Sequence, residues 1–171
     1  MGFFTNLRAD RLLAEVKASA ATGGPALQKA ITRLRELGPG AIEPIFAMLP
    51  ESDKPTTLAL VDVLASLVSQ KTFPSFVRAM VEGSPKVVSG ASWALSSSRN
   101  FPPHLLLEAF SVPGISKTSI LDVINSQKNR FGVRELLNVA AQQEPGEKAA
   151  LFRVVAEIAD ANALPELIGR L

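Results

Sequence analysis

The sequence predicts an all-α fold built as a stack of helical pairs, and three observations lead there. Pro44, Pro74 and Pro165 stand 30 and then 91 residues apart, and 91 divides into three intervals of 30 or 31. Between these prolines, apolar residues recur at the three- and four-residue spacing of amphipathic helices. No stretch alternates apolar and polar residues for long enough to build a sheet. A period near thirty residues is the mark of a solenoid. Each unit is too small to bury its own apolar face, so neighbours cover one another and the stack presents an extended surface rather than a closed pocket.

Residues 5–20 read as one amphipathic helix, with Thr5 or Asn6 placed to cap it and Leu7, Leu12, Leu13 and Val16 available to one face. Ala18 to Gly24 form a small-residue link. Residues 1–24 are therefore an N-terminal capping helix and linker, and residues 25–171 the repeats. Five units start near Pro25, Pro55, Pro85, Ser116 and Gly146, at intervals of 30, 30, 31 and 30 residues. A first helix carries each apolar stripe, such as Leu60, Val61, Leu64, Leu67 and Val68, or Leu151, Val154, Val155 and Ile158. Polar or glycine-containing turns follow at residues 38–40, 69–71, 98–100, 128–130 and 160–162. Second helices are opened by Pro44, Pro74, Pro102 with Pro103, and Pro165, a residue tolerated in a first turn because that N–H has no helical partner. At a 30-residue register Trp93 shares a column with Val63, Ile124 and Val154, which predicts its burial between units.

The fifth unit, with Ala149, Ala150, Ala156, Asp160, Ala163, Leu164, Pro165, Leu167, Ile168 and Leu171, resembles the short HEAT-like repeat of bacterial phycobilisome lyase-type proteins. The resemblance covers residues 25 to 171. It implies a right-handed, armadillo-like α-solenoid of about five helical hairpins, a bacterial source, and, as one functional alternative, attachment or detachment of a bilin chromophore. The third and fourth units depart from the pattern, with Ser96 to Ser98 and Asn125 at places where large apolar residues are usual. Tetratricopeptide repeats fit less well, since their period is about 34 residues and their pattern includes a Tyr this chain lacks.

Composition narrows the function. The 171 residues are 47% hydrophobic and 20% charged, enough for a substantial core. Eighteen Lys and Arg against sixteen Asp and Glu leave a net charge of +2, too small a surplus to favour nucleic acid. Without cysteine there is neither a disulfide framework nor a thiolate nucleophile. No run approaches the roughly 18 apolar residues of a membrane span, and the N-terminus lacks the succession of regions found in a secretory signal. The cytoplasm is the expected location. Because the sequence ends on the last apolar residue of a unit, it reads as the N-terminal portion of a longer protein. The uncovered Leu164, Leu167, Ile168 and Leu171 then offer a route to self-association.

His104 is the single histidine, and its nearest carboxylate, Glu108, lies one helical turn on, the spacing of an ordinary surface pair. Zinc would need three or four ligands that the sequence does not supply, and no cofactor is expected. Asp62 and Asp122 lie two units apart, too far for a carboxylate dyad, and are expected to bond neighbouring turns. The second helices would line the concave face, with Glu43, Arg78, Glu82, His104, Glu108, Arg134, Glu135, Asn138, Glu166 and Arg170 on them. Mixed charge of this kind suits a polypeptide partner, whereas a phosphate backbone favours an unbroken basic stripe. Arg99, Lys128 and Arg130 on successive turns form a basic ridge for an acidic partner. Phe3 and Phe4 are expected to pack on the end of the stack or touch a membrane surface, and Asn6 stands where myristoylation wants Ser or Thr.

The expected function is a non-catalytic protein-interaction scaffold without a cofactor. Its partner-binding residues would be Arg78, Glu82, Arg99, His104, Glu108, Lys128, Arg130, Arg134 and Asn138. Bilin handling is the enzyme-class alternative. Nucleic-acid binding, as in HEAT-like alkylpurine DNA glycosylases, is a second, disfavoured by the lack of interleaved aromatic and basic residues.

Overall fold

The computed structural model describes residues 2–159, and among them every regular element is helical. The expectations on Pro165, Glu166, Arg170 and the C-terminal apolar patch lie outside the described residues, as do those on the side chains of Phe3 and Phe4. The chain divides into two compact units, Met1–Pro102 and Pro103–Leu171.

The first unit opens with α1 (Gly2–Ser19). It starts before the expected caps, so Thr5 and Asn6 lie inside the helix. Its buried stripe is Ala9, Leu12, Leu13 and Val16, while Leu7, expected on that stripe, is 55% exposed. The reason is register, since the buried positions are spaced three or four apart from Ala9 onward and Leu7 falls beside them. Gly23 and Gly24, at φ +68° and +87°, turn the chain through a backbone region that only glycine enters without strain. Pro25 then opens α2 (Pro25–Glu36), followed by a 3₁₀ turn at Gly38–Ala41 and α3 (Ile42–Met48). A second 3₁₀ turn, Leu49–Glu51, leads to α4 (Lys54–Leu67), then α5 (Phe73–Glu82) and α6 (Pro85–Ser97).

Local chemistry explains these boundaries. The Asp53 carboxylate accepts the Thr56 amide at 3.0 Å and caps α4. Thr56, through its side chain and then through this amide, holds the Asp53 carboxyl below its ordinary value. At the other end, the Thr72 hydroxyl donates to the Leu67 carbonyl at 2.7 Å and satisfies an orphan acceptor of the last turn.

Packing in this unit is sequential by helix type. α1 covers α2, α2 packs on α4, and α4 packs on α6, while α3 meets α5 and α5 meets α6. Phe46 of α3 and Phe76 of α5 meet edge to face at 5.5 Å between ring centroids. Phe73 and Phe101 close the next layer at 5.1 Å. Gly90 marks a close approach between helices: a Cβ there would stand 2.6 Å from Cδ1 of Leu49.

The second unit contains α7 (His104–Phe110), α8 (Lys117–Ser126), a 3₁₀ turn at Lys128–Arg130, α9 (Val133–Ala140) and α10 (Pro145–Ile158). α7 packs on α8, α8 on α10, and α10 on α9. Ser116 caps α8 by accepting the Ser119 amide at 3.4 Å, and Glu135 reaches back to the Gly132 amide at 3.1 Å to close the start of α9.

One buried register recurs in both units. It runs Ala30 and Leu34, Leu60 and Leu64, Ala91 and Leu95, Ile120 and Ile124, Leu151 and Val155, stepping by 30, 31, 29 and 31 residues. The uniform thirty-residue register therefore slips by one residue in α6. Trp93 stands level with Asp62, not Val63, and is 48% exposed. Its expected burial is corrected accordingly. Ala94 takes the core place, where the close Gly90–Leu49 approach leaves no room for an indole.

Candidate interaction surfaces

The side chains singled out from the sequence divide between the two units. In the first, Arg78 of α5 is half exposed and forms an ion pair with Glu43 of α3. Glu82 lies exposed at the end of α5 and, with Glu43, Phe46, Arg78 and Val87, lines a hollow of about 160 Å³. Arg99 turns back on its own helix, donating to the Ser96 carbonyl at 2.8 Å and the Ser98 carbonyl at 3.1 Å. A cation on the last carbonyls of α6 complements the helix dipole. Lys86 behaves similarly towards the preceding turn, donating to the Ser52 carbonyl and, at 3.4 Å, to that of Pro50.

In the second unit, His104 and Glu108 occupy the exposed side of α7 without a hydrogen bond or ion pair to each other. Lys128 pairs with Glu157 of α10, and Arg130 donates to the side chain of Gln127, which is buried. Arg134 and Asn138 share the exposed side of α9, and each already interacts within the chain. Of the ridge expected from Arg99, Lys128 and Arg130, every member thus has an internal partner. The charge of Lys128 is offset by a carboxylate, whereas Arg99 and Arg130 donate to neutral oxygens.

Asp62, expected to bond a turn, instead accepts from Arg35 of α2 at 2.6 Å. Both are surface groups on first helices of successive pairs, and the bond ties α2 to α4. Asp122 lines a hollow of about 230 Å³ between α8 and α10 together with Asn125, Arg153 and Glu157. Among the described residues no three His, Asp or Glu side chains come together as metal ligands would. No described helix is long and apolar enough to cross a membrane.

A feature that sequence reasoning passed over lies along α1 and α2. Arg8, Arg11, Leu12 and Glu15 from α1 and Arg33, Glu36 and Leu37 from α2 and its end line a groove of about 430 Å³. A second depression, about 470 Å³, continues it past Glu15 and Arg33 to Lys29 and Thr22. The signal was present: Arg8, Arg11, Glu15 and Thr22 fall on one face at helical spacing, as do Lys29, Arg33 and Glu36. The apolar stripe of α1 dominates the pattern and masks this polar face.

No family model, curated protein or solved structure matches the chain.

Proposed function

We propose that the chain is a HEAT-like α-solenoid serving as a non-catalytic protein-interaction scaffold in a bacterial cytoplasm, with the second-helix surface as its binding face. The observation that carries this reading is the recurrence of one buried register at steps of 30, 31, 29 and 31 residues. A register repeated in this way is what a stack of equivalent hairpins produces. The ion pairs point the same way, because Arg35–Asp62 joins two first helices and Glu43–Arg78 joins two second helices. Within the first unit α2 thus lies beside α4 and α3 beside α5, which supports the stacked reading. Exposed Arg78, Glu82 and Glu108 put both signs of charge on second helices, which suits polypeptide recognition.

The test is capture of partners on the intact protein with covalent cross-linking, comparing two sets of surface changes. Glu82→Arg with Glu108→Arg alters second helices, and Leu58→Ser with Trp93→Ser alters first helices. The scaffold reading expects a partner seen with the unmodified protein to be lost only with the first set. Loss confined to the second set would place recognition on the first helices instead.

A further inference from the structure

We infer that the seam between α1 and α2 is a second, separate binding site, one that takes an extended acidic segment of another polypeptide. Three observations carry this. The seam is a continuous trough, because the two depressions along it share Glu15 and Arg33. Its cations are uncommitted: the side chains of Arg8, Lys29 and Arg33 make no hydrogen bond or ion pair among the described residues, whereas those of Arg35, Arg78, Arg99 and Arg130 are all engaged. Its lining includes the apolar Leu12 and Leu37, so a visiting chain could place an aliphatic side chain between its carboxylates.

Charge and dimension select the occupant. Arg11 is held by Glu15 at 3.3 Å, which leaves three available cations against the single unpaired carboxylate of Glu36. Guanidinium groups bind carboxylates bidentately, and two on opposite walls can grip acidic side chains from both sides. A nucleic-acid strand fits poorly, because Glu15 and Glu36 would oppose its continuous phosphates. From Arg8 to Ser19, α1 advances about 16 Å at ~1.5 Å per residue. That length matches about five residues of extended chain at ~3.3 Å each. The site is independent of the proposed second-helix surface, since neither set of residues includes the other.

The experiment uses the intact protein and a fluorescein-labelled six-residue peptide of alternating leucine and glutamate, followed by anisotropy. Binding should weaken about tenfold or more in Arg8→Glu/Arg33→Glu, since each lost charge-assisted bond is worth at least that order. Glu36→Gln should tighten binding, and added salt should weaken it. If the charge-reversed protein has a lowered unfolding midpoint, Arg8→Gln/Arg33→Gln serves in its place. A leucine–glutamine peptide should bind distinctly less well. The inference is overturned by any of three results: no binding up to about 1 mM peptide, equal binding by the double variant, or full displacement of the peptide by millimolar inorganic phosphate. The last would make the trough a simple anion site.

Discussion

Replacing Gly90 by alanine sets two effects of similar size against each other, and the structure decides between them. Alanine is favoured over glycine inside a helix by about 0.8–1.0 kcal/mol, and Gly90 lies in the middle of α6. The new methyl, however, would stand 2.6 Å from Cδ1 of Leu49, a side chain with 0% exposure and hence no open space to retreat into. Overpacking of this kind costs about 1–3 kcal/mol. Gly90→Ala should therefore destabilise by about 1 kcal/mol net. Leu49→Ala alone should cost about 2–5 kcal/mol through lost burial and the cavity left behind. Combined, the sign at position 90 reverses, because the methyl now enters vacated space and the helix keeps its propensity gain of about 1 kcal/mol. The pair should show a coupling of about 2 kcal/mol.

The assay is urea unfolding of the four proteins of this cycle, followed by helical circular dichroism. Emission of Trp93, on α6 itself, gives a signal from the first unit. Additive effects would refute the argument. So would a Gly90→Ala protein more stable than the parent, since Leu49 would then swing aside at no cost.

Four further outcomes follow from the same structure. Trp93 should emit as a largely hydrated indole and be quenched readily by iodide; a strongly blue-shifted, protected emission would show that the ring is buried after all. Leu64→Ala removes a side chain with 0% exposure and should cost about 2–5 kcal/mol in a denaturation experiment; an unchanged midpoint would mean that the α4 faces are wrongly assigned. Asp53 has a folded-state pKa below its ordinary value, so its cap stabilises above pH 3.8 and that contribution fades as pH falls through the lowered value. Asp53→Asn should flatten this acid limb of the stability profile, and an identical limb would assign it to other carboxylates. Titration with a bilin should leave the chromophore spectrum unchanged, and a stoichiometric shift abolished at Arg78, Arg99, Arg130 or Arg134 would favour the enzyme alternative.

Much of the helix pattern was legible because it rests on local rules. Pro25, Pro55, Pro74 and Pro85 stand in the first turns of α2, α4, α5 and α6, as their places in the sequence suggest, whereas the caps Asp53 and Ser116 emerge from the structure. Facing was harder. A thirty-residue ruler laid along the chain puts Trp93 in the core, and a one-residue drift rotates that position by about 100°. Nothing near Trp93 in the sequence announces the drift, because small residues such as Gly90, Ala91 and Ala94 do not by themselves mark a close contact with Leu49. The engagement of the charged side chains was not legible for another reason. Charged side chains were weighed as though all were available, yet Arg99 and Lys86 serve backbone carbonyls that only the folded chain brings within reach.

The division of labour among the cations connects architecture to recognition. Arg35–Asp62, Arg78–Glu43 and Lys128–Glu157 join positions 27, 35 and 29 residues apart, close to the spacing at which the buried register recurs. Exposed pairs of this kind contribute only about 0–1 kcal/mol each. Their value lies in register, since a helix slipped by one turn against its neighbour would leave each pair unmade. An apolar column of similar Leu, Ile and Val side chains tolerates such a slip far better than a pair of opposite charges does. The consequence for binding is that these cations are already occupied with alignment. A partner attracted by charge meets, along the seam of α1 and α2, the cations of Arg8, Lys29 and Arg33, whose side chains have no partner among the described residues.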